Sequence, residues 1–215
     1  MRYKVSLIMP SFERPKRTVR AIECILNQDF VGYEAFIVGD KCPFIQELID
    51  SGKAEEYIKA AADKGNKISI FNLPLNYAGY GYQGRNTCVT LSFGDYIMFM
   101  DNDDMIEPDH ISNYYNAISQ TTNDFMYFNT ILNPVEERGG IKMIRESKLE
   151  EGKIGHAEII VKSFFLKKIK EKSGYNHDWD YIKQLIDMGC VSDKSNSKPT
   201  YRVMGVGELR ENIQD

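Results

Sequence analysis

Three carboxylates crowd the four residues Asp101-Asn102-Asp103-Asp104, directly after the apolar run Tyr96-Ile97-Met98-Phe99-Met100. A strand that delivers carboxylates at its C-terminal end presents the donors that a hard divalent cation takes. Mg²⁺ and Mn²⁺ bind oxygen, commonly through one or two carboxylates together with phosphate oxygens. The same residues also suit a polar turn, or an acidic cap on a helix beginning near His110. An Asp-x-Asp pair recurs by chance, so Asp101 and Asp103 acquire meaning only from what surrounds them.

The surrounding pattern alternates. Short apolar runs over residues 4–9, 33–38, 67–71, 96–100 and 125–130 read as strands. Between them, residues 18–26, 46–62, 85–92 and 110–119 carry helical periodicity. Strands alternating with helices predict an α/β chain with a mainly parallel, mixed sheet flanked by helices. In such sheets ligands bind beyond the C-terminal ends of the strands. Four polar loops fall there: Ser11 to Arg14, Asp40-Lys41, residues 79–86 and the acidic cluster. After Thr130 the pattern turns polar over residues 133–155, with a hairpin expected around Gly139-Gly140. Helices are expected over 157–169 and 179–188, a closing strand over 200–204 and a frayed tail from Glu208. This second half is expected to form a lid and wall over the sheet edge.

The 215 residues fit a single domain over 1–215 with a substantial core. A net charge of −4 argues against a nucleic-acid binder, which would carry a basic surplus. The one cationic cluster, Lys162, Lys167, Lys168, Lys170 and Lys172, reads as a solvated helix face, with contact to an anionic membrane surface or acidic glycan as a second reading. Cys24, Cys42, Cys88 and Cys190 are far apart and lack metal-site spacing, which predicts reduced thiols, with Cys24 and Cys88 as small core residues. No signal-peptide core and no apolar run of spanning length occurs, so a soluble, cytoplasmic chain without a membrane span is expected.

Gly79-Tyr80-Gly81-Tyr82-Gln83-Gly84 matches G-x-G-x-x-G, with Asp101 at the distance of a ribose-binding acid. The context argues against a dinucleotide fold. Residues 72–76 separate the preceding strand from the glycines, and an acidic cluster repels a pyrophosphate unless a metal lies between them. The glycines are instead expected to let backbone approach a nucleotide or diphosphate.

Taken in order, Ile8-Met9-Pro10-Ser11-Phe12-Glu13-Arg14, Val38-Gly39-Asp40, Gly84-Arg85-Asn86, the run Gly94 to Asp104, and His177-Asp178-Trp179-Asp180 resemble the family 2 glycosyltransferases of the GT-A fold. The resemblance covers the first half of the chain and resumes at Asp178. It implies a nucleotide-diphosphate sugar donor, most often a UDP-sugar, with Mn²⁺ or Mg²⁺, and a glycan, lipid-linked or other hydroxyl acceptor. By this resemblance residues 1–104 form the nucleotide-binding half and 105–215 the acceptor side. Pro10, Ser11 and Phe12 sit where the family's first loop touches the nucleoside, with Glu13 in reach of a ribose hydroxyl. Asp40 matches the carboxylate that meets the base, and Arg85 a basic residue near base or diphosphate. Asp101 and Asp103 match the metal-binding pair, with Asp103 the first choice for direct ligation and Asp101 shared between ribose and metal. Asp178 matches the acid that serves as general base, which implies inversion at the anomeric centre.

Some positions stay open. Asp180 rivals Asp178, and either suits a helix cap. Trp179, the sole tryptophan, suits stacking on an acceptor sugar or partial burial as an anchor. Many relatives carry a histidine after the last strand as a metal ligand, whereas residues 201–207 contain none, leaving His156 and His177 as substitutes. Two other functions compete. A sugar nucleotidyltransferase would want glycine in the 10–15 loop, which has none. A catalytically inactive nucleotide- or glycan-binding domain would share the same motifs.

Overall fold

The computed structural model describes residues 2–133 and 143–204. The expected hairpin around Gly139-Gly140 and the tail from Glu208 lie outside the described residues. The first half follows the expected alternation: β1 (Val5–Ser11), α1 (Pro15–Leu26), β2 (Tyr33–Gly39), α2 (Pro43–Asp50), α3 (Lys53–Asp63), β3 (Lys67–Asn72), α4 (Tyr82–Leu91) and β4 (Tyr96–Phe99). It continues through β5 (Met105–Ile106), α5 (His110–Ser119), β6 (Phe125–Tyr127), β7 (Thr130–Leu132) and β8 (Met143–Arg145). A single 3₁₀ turn, His156–Glu158, leads into β9 (Ile159–Lys162), α6 (Ser163–Leu166), α7 (His177–Asp187), β10 (Ser192–Lys194) and β11 (Tyr201–Val203).

Seven strands form the main sheet in the order β10-β6-β9-β4-β1-β2-β3. β1 pairs in parallel with β2 and β4, β2 with β3, and β6 with β10, while β9 runs antiparallel to β4 and β6. This is the expected mixed, mainly parallel sheet. Side chains alternate between its faces, as the twofold period of a strand requires. Val5, Leu7, Met9, Ala35, Ile37, Met98 and Ile160 join the core with α1 and α5, whereas Ile8, Phe36, Val38, Ile97, Phe99 and Val161 join the core with α4 and α7. Gly94 lets the chain entering β4 approach β1 closely, since a Cβ there would lie 2.5 Å from the Ser6 nitrogen. Its N–H and that of Phe93 donate to the buried Glu34 carboxylate.

Four expectations are corrected. The helix expected over 46–62 is two helices, broken at Gly52, whose φ of +78° a helix cannot continue. The strand expected over 125–130 is two: the chain leaves the main sheet after Tyr127 and enters a second sheet, β5-β11-β7-β8, at Thr130. The helix expected over 157–169 is mostly strand, because Ile159, Ile160 and Val161 are buried on both faces between β4 and β6. Such a continuous β-branched run suits a covered strand. The second half therefore supplies three strands of the main sheet as well as a wall. The lysines form no helix face either: Lys162 pairs with Asp124, Lys167 and Lys170 reach Ser92 and Thr90, and Lys168 lies over the Phe164 ring. Among the described residues no helix is long and apolar enough to cross a membrane.

Candidate functional site

A cavity of about 510 Å³ opens beyond the C-terminal ends of β1, β2 and β4. Pro10, Ser11, Phe12, Glu13, Asp40, Arg85, Asp101, Asp103 and Asp178 all line it. These nine residues, drawn from five stretches of chain, thus reach one cavity.

The floor is a polar lattice that ties the first loop to the acidic turn. Asn102 is buried, and its amide donates to the hydroxyls of Ser11 and Thr18 at 3.3 and 2.9 Å. Asp104 is not a simple turn residue. Its buried carboxylate accepts bonds from the Tyr201 hydroxyl at 2.8 Å and the Met204 N–H at 2.9 Å, and the same hydroxyl accepts the Asp101 N–H. Burial, with Asp101 beside it, pushes the Asp104 carboxyl up to about 8. The closing strand β11 therefore anchors the acidic turn from the second sheet. Asp40 accepts the Tyr77 N–H at 2.9 Å, which ties the ends of β2 and the 73–81 loop together.

The two metal candidates differ in their surroundings. The Asp101 side chain is 56% exposed to the cavity, and its nearest cation is the Arg85 guanidinium at 3.9 Å. Desolvation at the bottom of the cavity raises its carboxyl; Arg85 opposes that rise, and Asp178 and Asp103 add to it. Asp103 is already engaged: Arg14 bonds its carboxylate, Arg17 stands 3.7 Å away, and Arg20 donates to its carbonyl at 2.9 Å. Glu13 and Arg14 both hold left-handed backbone, with φ of +56°. Side chains other than glycine adopt that region at a cost, and such strain clusters at ligand clamps.

Arg85 is nearly buried, with a bidentate pair to Glu171 at 2.7 and 2.8 Å. Glu171 also accepts from His177 Nδ1 at 2.9 Å and faces His156 Nε2 at 3.7 Å. Its burial would raise its carboxyl, but His156, Arg85 and His177 together lower it to about 2. Asp178 bonds His156 Nδ1, the nitrogen away from Glu171, and stands 3.1 Å from His177 Nδ1, the same nitrogen that Glu171 meets. Desolvation of Asp178 is outweighed by His156, His177 and Arg85, so its carboxyl is held well below the usual carboxylate range. The His177 ring stacks on Tyr80, with centroids 5.1 Å apart. Despite desolvation, Glu171 and Asp178 raise its imidazole.

Asp180 does not line the cavity, and Trp179 is half-buried against the α7 core. The G-x-G-x-x-G glycines permit close packing, and Gly79 and Gly81 also bring backbone to the cavity wall. Gly81, at φ +80°, caps α4 so close to Pro10 that a Cβ would lie 2.7 Å away, and Gly84 seats α4 against Val38. α4 begins at Tyr82, a turn earlier than expected. Its N-terminus, with those of α1 and α7, points at the cavity: Arg14, Gly81 and His177 all line it. Helix N-termini present unpaired N–H groups and favour anions.

Sequence reasoning missed Arg17, Asn102 and Glu171. Arg14, Arg17 and Arg20 recur every third residue, the spacing of one helix face, and that face meets Asp103. Glu171 carried no signal, standing alone among lysines.

A family model described as Glycosyl transferase family 2 matches residues 6–185. The chain belongs to glycosyltransferase family 2. Curated relatives include Poly(ribitol-phosphate) beta-N-acetylglucosaminyltransferase TarP of Staphylococcus aureus, 27% identical over 91% of this chain and 54% of the relative. The putative colanic acid biosynthesis glycosyl transferase WcaA of Escherichia coli is 29% identical over 58% of this chain and 42% of the relative. The chain thus spans about half the length of these relatives. Among solved structures, S. aureus TarS 1–349 in complex with UDP-GlcNAc superposes with a TM-score of 0.72 at 19% identity, covering 94% of this chain and 58% of that one. Mannosyltransferase PcManGT from Pyrobaculum calidifontis, in complex with GDP-Man and Mn2+, gives 0.65 at 14% identity over 95% of this chain and 57% of that one. The fold of this family 2 chain is GT-A.

Proposed function

We propose that this chain transfers a sugar from a nucleotide-diphosphate donor, a UDP-sugar first, to a hydroxyl acceptor, with metal dependence and inversion at the anomeric carbon. The observation that supports it most is the cavity itself, where five carboxylates face two arginines and three helix N-termini. Carboxylates alone would repel a diphosphate, and arginines alone would not hold a divalent ion. Together they suit an ion bridged to a diphosphate.

The donor set fits Mn²⁺ or Mg²⁺. Asp101 offers an accessible carboxylate whose proton affinity is raised, first by desolvation and then by the neighbouring charges of Asp178 and Asp103. Asp103 offers a second once Arg14 swings away, and that side chain is then free to meet the incoming diphosphate. The chemistry supplied by a bound ion is neutralisation of the charge that develops on the leaving diphosphate. Pro10, Ser11, Phe12 and Glu13 line the nucleoside side with Asp40, and Arg85 stands rigid behind Asp101.

Asp178 is the base in this reading. The acceptor oxygen attacks the anomeric carbon, its O–H bond breaks, and the proton passes to the Asp178 carboxylate as the bond to diphosphate breaks. His156 and His177 keep Asp178 ionised but weaken it as a base. Proton transfer is then expected late, once the new C–O bond has acidified the hydroxyl.

A thermal-shift screen of UDP-, GDP- and TDP-sugars, with and without Mn²⁺, tests the donor reading, because a ligand stabilises the native state it occupies. A metal-dependent rise in Tm with one nucleotide class supports it. No shift with any donor would remove its basis.

A further inference from the structure

Behind the acidic turn lies a second group of donors of different chemistry. One nitrogen each from His156 and His177 and one oxygen from Asp178 lie within 4.8 Å of one another. Among the described residues they are the one such group of three or more that could hold a metal. Glu171 Oε1 stands 2.9 Å from His177 Nδ1 but lies outside that group, with both of its oxygens paired to Arg85. His156 is buried, and its Nε2 has no hydrogen-bond partner, so this cluster leaves one polar atom unsatisfied. An orphaned buried nitrogen carries a cost that a bound ligand or a flipped ring would relieve.

We propose that His156, His177 and Asp178 form a three-residue site for a borderline-soft divalent cation of the Zn²⁺ class, separate from the oxygen pair Asp101 and Asp103, with water filling the fourth position. Imidazole nitrogen suits Zn²⁺ and its neighbours, whereas Mg²⁺ and Mn²⁺ favour all-oxygen shells. Zinc bonds of roughly 2.1 Å in a tetrahedron put donors about 3.4 Å apart. The 3.1 Å separation between His177 Nδ1 and Asp178 needs only a few tenths of an ångström of expansion, whereas the direct His156 Nδ1–Asp178 contact must open further to admit the ion. Glu171, paired twice by Arg85, orients His177 from beside the site, as supporting carboxylates commonly do for metal ligands, and balances the Arg85 guanidinium that stands 3.5 Å from His177 Nδ1. Gly155 keeps the approach to Asp178 open, since a Cβ there would lie 3.2 Å from Oδ2. Occupancy engages Asp178, so Zn²⁺ inhibits transfer. That consequence, unlike the binding, rests on the reading of Asp178 as base.

The test titrates Zn²⁺, and Co²⁺ as a spectroscopic probe, into the whole chain. The site predicts one equivalent bound, with visible Co²⁺ bands of a nitrogen-containing, low-coordinate shell. His177→Asn is the main variant, because His177 is only half-buried; His156→Asn supports it. Each is expected to weaken Zn²⁺ binding by about tenfold or more, while Asp103→Asn leaves it unchanged. Binding that ignores His177→Asn, or that is lost in Asp103→Asn, overturns the site. So does the absence of any saturable equivalent. One equivalent bound without loss of transfer supports the site and overturns Asp178 as base.

Discussion

Glu171→Gln probes the part of the site that the sequence did not announce. The Glu171 side chain is fully buried and bonds Arg85 twice and His177 once. Its carboxyl falls from 4.5 to about 2 on folding, which at 1.36 kcal/mol per pH unit is about 3 kcal/mol of preference for the ionised form. Removing one member of a buried pair costs about 3–5 kcal/mol on general grounds, because the partner charge is left uncompensated. The partner here is Arg85, with 3% of its side chain exposed. The two routes agree on a loss of about 3 kcal/mol at pH 7. The folded value lies below the unfolded one, so this stabilisation is present above about pH 4.5 and is lost as pH falls toward about 2. Urea unfolding of wild type and Glu171→Gln at stepped pH measures both features. The gap should be about 3 kcal/mol near neutrality and close as pH falls through that window. A gap under about 0.5 kcal/mol at pH 7, or one independent of pH, would refute the role given to this pair.

Asp178→Asn is expected to lower kcat by about 10²–10⁴-fold with donor binding retained; equal loss of donor binding, read by calorimetry, would assign Asp178 to binding instead. Arg14→Ala frees Asp103, so Mn²⁺ alone should raise Tm more than in wild type while UDP-sugar binds more weakly; unchanged metal response would show that Arg14 does not compete for Asp103. Tyr201→Phe leaves Asp104 Oδ2 and the Asp101 N–H each without a partner, while the Met204 N–H still holds Asp104 Oδ1, at a cost of about 1–3 kcal/mol in chemical unfolding. A neutral result would mean that β11 does not anchor the acidic turn.

Strands β1, β2 and β4 were legible because each is a short apolar run closed by polar residues, and the residues that end them, Ser11, Asp40 and Asp101, meet at one edge. That edge follows from parallel pairing, so chain order was enough to bring the candidates together. β9 was not legible: Ile159-Ile160-Val161 and Phe164-Phe165-Leu166 are two short apolar runs split by Lys162-Ser163, and periodicity cannot separate a covered strand from a buried helix turn there. The Asp103 contact with Arg14 depends on left-handed backbone at Arg14, which no local pattern announced. Glu171 reaches Arg85 across 86 residues, and such pairing is set by tertiary packing alone.

Nucleotide release from a UDP-sugar measures the central claim most directly. The account predicts release that requires Mn²⁺ or Mg²⁺, that disappears in Asp103→Ala, and that acceptor accelerates. No release from UDP-, GDP- or TDP-sugars by protein shown to bind the nucleotide would contradict it, and would leave a binding domain of the same fold.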